Sequence, residues 1–355
     1  MTFVGILFVL GILVLFYVWL RRMRRSCYGG DILPPRSPFL RPRLRVSTAK
    51  ELEEDLLKYF YRHPGAFDAT ALGERYFVAP SRVQEAVEAL LSKKLLSVED
   101  LQLTPPGAAA AEALLRRHRL YESYLSERTG LPASEWHAIA ERMEHRLSDQ
   151  QADVLARRLG YPSFDPHGDP ISPQEKGSFS SPPVSVSTLE HTGWYIVSQI
   201  EDKDKRRFQA LDRLGFYPGC PLRWVGKVTR SVTLFCDGEL FSLPLSLAEQ
   251  LFVTPLASPP PEGVVRLSAL PVGVAARVLE IASSCHGANR RRLLDLGFVP
   301  ESVVAVDLES PLGNPTAYLI RGTTIALRSD QARHIRVIPD LALSTETSAS
   351  HPPTS

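Results

Sequence analysis

The sequence predicts a multidomain α + β chain: a transmembrane helix, a winged helix-turn-helix, a second helical domain and two small SH3-like β-barrels. Three observations carry this expectation. Residues 3–20, FVGILFVLGILVLFYVWL, carry no charge. From residue 48 to about 160, apolar residues recur at helical spacing between turn signals. Beyond that, Leu211-x2-Leu214-Gly215-Phe216-x-Pro218 returns as Leu293-x2-Leu296-Gly297-Phe298-x-Pro300 among short alternating segments.

A chain of 355 residues accommodates two or three domains. Hydrophobic residues make up 44% and charged residues 23%, enough for folded cores. The net charge of +2 excludes a polycation, so any nucleic-acid surface is local. The four cysteines, Cys27, Cys220, Cys236 and Cys285, form no CxxC pair. Neither a zinc ribbon nor a disulfide framework is indicated, and a reducing compartment fits.

An 18-residue apolar helix at ~1.5 Å per residue just spans a ~30 Å hydrocarbon core. Tyr17 and Trp19 sit at its end, and Arg21, Arg22, Arg24 and Arg25 follow at once. The positive-inside rule then keeps the rest of the chain in the cytoplasm. A cleaved signal peptide needs charge before the run and a small-x-small site after it; both are missing. Residues 1–25 therefore read as a signal anchor in the inner (cytoplasmic) membrane. Residues 26–47, rich in Pro and Arg, read as a tether.

In residues 48–104, Leu52, Leu56, Leu57, Phe60 and Tyr61 predict a helix over 48–63, stopped by Pro64-Gly65. A short helix over 68–77 follows. A tight turn at 78–81 leads, through Pro80 and Ser81, into a helix over 81–94. This is the helix-turn-helix order, with two short strands around a very small wing at 96–103. The first turn of the second helix of such a motif faces base edges. It presents Ser81, Arg82 and Gln84, of which Arg82 suits guanine or phosphate and Gln84 suits adenine. Glu85 is repelled by phosphate, and an interaction module without DNA is the alternative.

Residues 105–172 predict a long helix over 106–129, a second over 133–147 and a third capped by Ser148-Asp149 that ends at Gly160. The second carries His137-x3-Glu141-x2-Glu144-His145. Positions i, i+4, i+7 and i+8 share one helix face, so two imidazoles and two carboxylates form a stripe. That donor set suits Mn2+, Fe2+ or Zn2+. His118 and Glu122 add a second i, i+4 pair. A solvated charged face is the alternative.

Taken in order, the helix-turn-helix, Arg117-His118-Arg119-Leu120 with Glu122, Glu141-x2-Glu144-His145-x2-Ser148 and Pro166-His167-Gly168-Asp169-Pro170-Ile171 resemble the diphtheria-toxin-repressor family of metal-dependent transcriptional regulators. The resemblance spans about residues 48–172. It implies that His118, Glu141, Glu144 and His145 bind a regulatory metal, with Asp55 as the ligand from the DNA-binding domain. It implies that Glu122 and His137 serve a second metal site. It also implies a homodimer through residues 106–160 that binds DNA when metal is bound. A carboxylate at Glu141, where the iron-sensing branch carries a thiol, leans the metal toward Mn2+ over Fe2+. Lys58 departs from the pattern: it stands where the manganese-sensing branch has a second carboxylate. An ammonium there replaces a second metal's charge and leaves one site rather than two.

Residues 173–187 read as a linker. The repeated segments, 188–256 and 262–339, resemble the FeoA domain, with strands expected at 194–200, 222–228, 232–235, 303–306 and 317–320. Gly219 of the first copy is replaced by Glu301 in the second, where a different turn is expected. In the family such a barrel can donate a ligand to the second metal site; Glu201, Asp202 and Asp204 are candidates, and solvent-facing loop acids are the alternative. Cys285-His286 reads as a soft-metal pair or a loop accident. Residues 340–355 read as a disordered tail. No catalytic grouping appears, so an enzyme is not expected. The expectation is a membrane-anchored, Mn2+- or Fe2+-dependent transcriptional regulator. The alternative is a membrane-bound metal-sensing subunit docked on a metal-ion transporter, without DNA binding.

Overall fold

The computed structural model describes residues 48–172 and 181–340. Six helices come first: α1 (Ala49–Arg62), α2 (Ala69–Tyr76), α3 (Pro80–Ser92), α4 (Pro105–Arg128), α5 (Ala133–Met143) and α6 (Asp149–Arg158). Local chemistry sets their limits. Asp68 caps α2 by accepting from the amides of Thr70 and Ala71, and Phe77 ends it in the left-handed region. Proline opens α3 and α4 at the position where a missing N–H costs nothing. Ser148 and Gln151 cap α6 reciprocally.

The helix-turn-helix order is present. Leu52, Leu56, Leu57 and Phe60 of α1 pack with Leu72, Val83, Val87 and Leu90, and Ala111 and Leu114 of α4 close the same core. The wing is smaller than expected: the pairing at 96–103 reduces to one bridge, Leu96 to Leu103. At Gly107 a Cβ would overlap the Leu95 carbonyl, so glycine lets α4 lie against the wing. A second core gathers Leu120, Tyr121, Leu125, Trp136, Ala140, Leu147 and Leu155 from α4 to α6.

Two six-stranded antiparallel sheets follow. The first contains β1 (Val184–Ser185), β2 (Gly193–Ile200), β3 (Pro221–Val228), β4 (Ser231–Cys236), β5 (Glu239–Pro244) and β6 (Leu251–Pro255), in the order β1-β6-β2-β3-β4-β5. Helices α7 (Lys205–Arg213) and α8 (Leu245–Ala248) connect its strands. The second contains β7 (Val265–Arg266), β8 (Ala275–Ile281), β9 (Val303–Glu309), β10 (Thr316–Ile320), β11 (Thr323–Leu327) and β12 (Ile335–Pro339). Its order is β11-β10-β9-β8-β12-β7, with α9 (Gly287–Asp295) and α10 (Ser329–Ala332) as connections. Read backwards this is the order of the first sheet, strand for strand, so the sequence repeat is a repeat of topology. Each unit has its own apolar core.

The turns repeat as well. Gly219 and Glu301 both lie in the left-handed region, at φ +94° and +67°. Their amides donate to Val197 and Val278 at 2.7 and 2.8 Å. The different turn expected at Glu301 is absent, because the strand hydrogen bond holds the backbone in a conformation that a side chain disfavours.

The transmembrane helix and the inner-membrane location are corrected: among the described residues, no helix is long and apolar enough to cross a membrane. α4 has the length, at 24 residues. It carries Glu112, Arg116, Arg117, Arg119, Glu122, Glu127 and Arg128, which a hydrocarbon core does not accommodate. The run at 3–20, the tether at 26–47, residues 173–180 of the expected linker and residues 341–355 of the expected tail lie outside the described residues.

Candidate metal centre

The helix expected over 133–147 ends at Met143, and residues 144–146 form a turn. That break divides the predicted stripe. His137 faces α4, whereas Glu144 and His145 turn toward α1. Two clusters result: a triad on the α1 side, and on the α4 side two triads that share Glu122, the donor atoms within each triad lying within 4.8 Å of one another.

The first cluster joins Asp55, Glu144 and His145. Glu144 is fully buried. His145 Nε2 lies 3.5 Å from Asp55 and 3.6 Å from Glu144, and its Nδ1 is 2.7 Å from Glu54. The Lys58 ammonium enters the same space. It is hydrogen-bonded to Glu144 Oε1 and lies 3.3 Å from Asp55 Oδ1. Burial acts against the Lys58 charge, but Glu144 and Asp55 outweigh it and raise its pKa. Burial likewise acts against ionised Glu144, yet His118 and Lys58 bring it down to about 2. Glu141, a predicted ligand, is exposed and enters neither cluster.

The second cluster is assembled from four parts of the chain. His118 and Glu122 come from α4, one turn apart, and His137 from α5. His118 Nε2 lies 3.0 Å from Glu122 Oε1 and 3.2 Å from His137 Nδ1. Asp202, just after β2, places Oδ2 2.8 Å from His137 Nδ1. His167, from the loop after α6, lies 3.5 Å from both Glu122 and Asp202. It is fully buried, and neither ring nitrogen has a hydrogen-bond partner.

A network of backbone bonds places that loop. Asp165 Oδ1 accepts from the amides of His167 and Asp169, both at 2.9 Å. The Ile200 amide donates to the His167 carbonyl at 2.9 Å. Gly168 sits at φ +90°, where a Cβ would overlap the Ser198 carbonyl. Glycine therefore lets the loop press on β2 and brings His167 and Asp202 together.

Burial opposes charge on all three imidazoles, but the carboxylates prevail. Glu122 and Glu144 raise His118 to about 9. Asp202 and Glu122 raise His137 to about 11. Glu122 and Asp202 raise His167 to about 10. Three basic imidazoles around the buried Glu122 and the half-buried Asp202 make a group that can trade protons for a cation.

The donor sets decide what each cluster suits. The second offers imidazole nitrogens and carboxylate oxygens only, a set that suits Mn2+, Fe2+ or Zn2+, and His167 has two buried nitrogens otherwise unsatisfied. The first holds the Lys58 ammonium among its oxygens.

Residues 104–173 match the family model described as the iron dependent repressor, metal binding and dimerisation domain, and residues 265–339 match that of the FeoA domain. The chain carries a metal-binding and dimerisation domain of the iron-dependent-repressor family. All the helical residues of the second cluster, and His167, fall inside this repressor domain.

The relatives agree. The iron-dependent repressor IdeR of Mycobacterium bovis is 37% identical over 103 residues, 28% of this chain and 45% of that protein. A probable metal transport system membrane protein of Chlamydia trachomatis serovar D is 36% identical over 129 residues, 32% of this chain and 28% of that protein. The chain thus spans less than half the length of these curated relatives. A solved manganese-dependent transcriptional repressor in complex with manganese is 28% identical, with a TM-score of 0.52 over 57% of this chain and 100% of that one.

The sequence left two of these positions unassigned. His167 lies in the Pro166-His167-Gly168-Asp169-Pro170-Ile171 motif, but no spacing links it to His118 or Glu122. Asp202 stood beside Glu201 and Asp204 without distinction. Glu201 pairs with Lys203, and Asp204 caps α7, which leaves Asp202 for the cluster. Cys285 and His286 enter no cluster among the described residues.

The predicted DNA-reading residues share the start of α3. Ser81 and Gln84 are exposed and Arg82 is half-buried. Glu85 and Glu88 are exposed on the same helix.

Proposed function

We propose that this chain is a metal-dependent transcriptional regulator, a homodimer through α4 to α6 that binds DNA through Ser81, Arg82 and Gln84. Its metal, Mn2+ or Fe2+, is held by Glu122, His137, His167 and Asp202, with His118 beside them. The observation that carries this reading is the convergence of those side chains around a fully buried His167 with no hydrogen-bond partner. The bound ion supplies a positive charge that ties α4, α5 and the 165–171 loop to the first sheet through Asp202. The domain boundaries follow: 48–104 for DNA, 105–172 for metal and dimerisation, and 188–256 and 262–339 as two FeoA-like units.

The test is fluorescence anisotropy with labelled DNA selected from a random pool, with and without Mn2+ or Fe2+. Salt is held fixed, because non-specific binding depends on it steeply. Metal-dependent, sequence-selective binding is expected. A second reading, a metal-sensing subunit of a metal transporter without DNA binding, draws on the name of the chlamydial relative. Saturable metal binding with no DNA binding would select it.

A further inference from the structure

We infer that Lys58 is a built-in cation that takes the place of a metal ion in the cluster of Asp55, Glu144 and His145. The inference rests on the metal reading above only in assigning the second cluster to metal. It says that this chain takes one metal ion, and that the winged helix is held to the helical domain without one.

The geometry points this way. Asp55 and Lys58 lie one turn apart on α1, and Glu144 lies in the turn after α5. Two carboxylates and an imidazole whose donor atoms lie within 4.8 Å are the makings of a cation site. The ammonium lies in it, bound to Glu144 and 3.3 Å from Asp55. Its surroundings are dry: the side chains of Lys58 and Asp55 are 12% and 13% exposed, and Glu144 has no exposure. A divalent ion there would share the pocket with a buried positive charge, which the low dielectric penalises steeply. The second cluster contains no lysine or arginine: its positive charge sits on imidazoles, which give up a proton when a metal takes the nitrogen.

Two parts of the chain meet at this cation: α1 belongs to the winged helix and Glu144 to the helical domain, with His145 paired to Glu54 of α1 beside it. Elsewhere a metal can make such a bond, and it comes and goes with metal supply. An ammonium on a covalent tether is always present. Metal then acts on the other face of the helical domain, where Asp202 comes from the first sheet.

Isothermal titration of the full chain with Mn2+ alone tests this, with EDTA-treated protein and circular dichroism to verify folding. The wild type should bind one equivalent. Asp55→Asn should leave that equivalent intact, and Glu122→Gln should remove it. Lys58→Glu should add an equivalent that wild type lacks. Two equivalents in wild type, one of them lost in Asp55→Asn, would overturn the inference, since the ammonium would then be yielding to metal. A folded Lys58→Glu protein with no added equivalent would also overturn it. No binding by wild type together with one equivalent in Lys58→Glu would support Lys58 as the resident cation while removing the metal reading of the second cluster.

Discussion

The amide of Ile200 donates to the carbonyl of His167 at 2.9 Å, and this bond helps to join the loop that carries His167 to the strand that leads into Asp202. Two residues far apart in sequence thereby become neighbours at the second cluster, and the glycine between loop and strand decides whether they can.

Gly168→Ala should therefore act well beyond its size. The added methyl meets the Ser198 carbonyl, and φ +90° strains any side chain. A loss of about 2 kcal/mol or more is expected, together with weaker Mn2+ binding. Thermal melting and calorimetry on the same preparation check both, and an unchanged Mn2+ affinity would mean that the loop does not position a ligand.

Lys58→Met should destabilise the metal-free chain by about 3–5 kcal/mol, because it leaves Glu144 buried without its ammonium. Denaturant melts in EDTA measure this. A difference below ~1 kcal/mol would show that Glu144 finds sufficient compensation in His118.

The metal-free protein should have a defined stability window from the His118–Glu144 pair. Glu144 is depressed to about 2, so its contribution is present above its unfolded value near 4.5 and fades as pH falls toward 2. His118 is raised to about 9, so its contribution is complete below about 6.5 and is lost as pH rises through 9. Both are present between about pH 4.5 and 6.5. Melting temperature in EDTA across pH 4 to 9 should fall on the alkaline side, and His118→Gln should flatten that limb.

On α3, Arg82→Ala and Gln84→Ala should each weaken binding to the selected DNA by ~1–3 kcal/mol and relax the base preference at one position. Glu85→Gln should strengthen binding and raise the salt sensitivity, since it removes a charge that phosphate repels. Anisotropy at two salt concentrations separates the effects.

Most of the helical architecture was legible, because apolar spacing and caps are local. Leu114, Leu115, Leu120, Tyr121 and Leu125 are all buried, as the periodicity over 106–129 predicts. Ser148 caps where it was expected to. The repeat of Leu-Gly-Phe-x-Pro correctly announced two like units. What the sequence could not show was direction. The stripe from His137 to His145 assumed an unbroken helix, and ending it at Met143 sent its members to two different clusters. Glu141 looked equal to Glu144 by spacing, yet one is exposed and the other has no exposure at all. The choice among Glu201, Asp202 and Asp204 depended on how a distant sheet docks, which is set by the Gly168 contact and not by the acids themselves.

His118 touches both clusters, with Nδ1 2.7 Å from Glu144 and Nε2 3.0 Å from Glu122. An imidazole has only these two nitrogens. Were Nε2 to turn to a metal, Nδ1 would keep its proton and donate a hydrogen bond to Glu144, which would fix both the tautomer and the basicity of the ring. Glu144 is in turn held by Lys58 on α1. A run of three side chains, ammonium to carboxylate to imidazole, thus leads from the first helix of the DNA-reading unit to the edge of the metal centre. If DNA pulls on α1 as proposed, that ring would hold a metal ion more or less firmly, and by reciprocity the ion would be felt at α1.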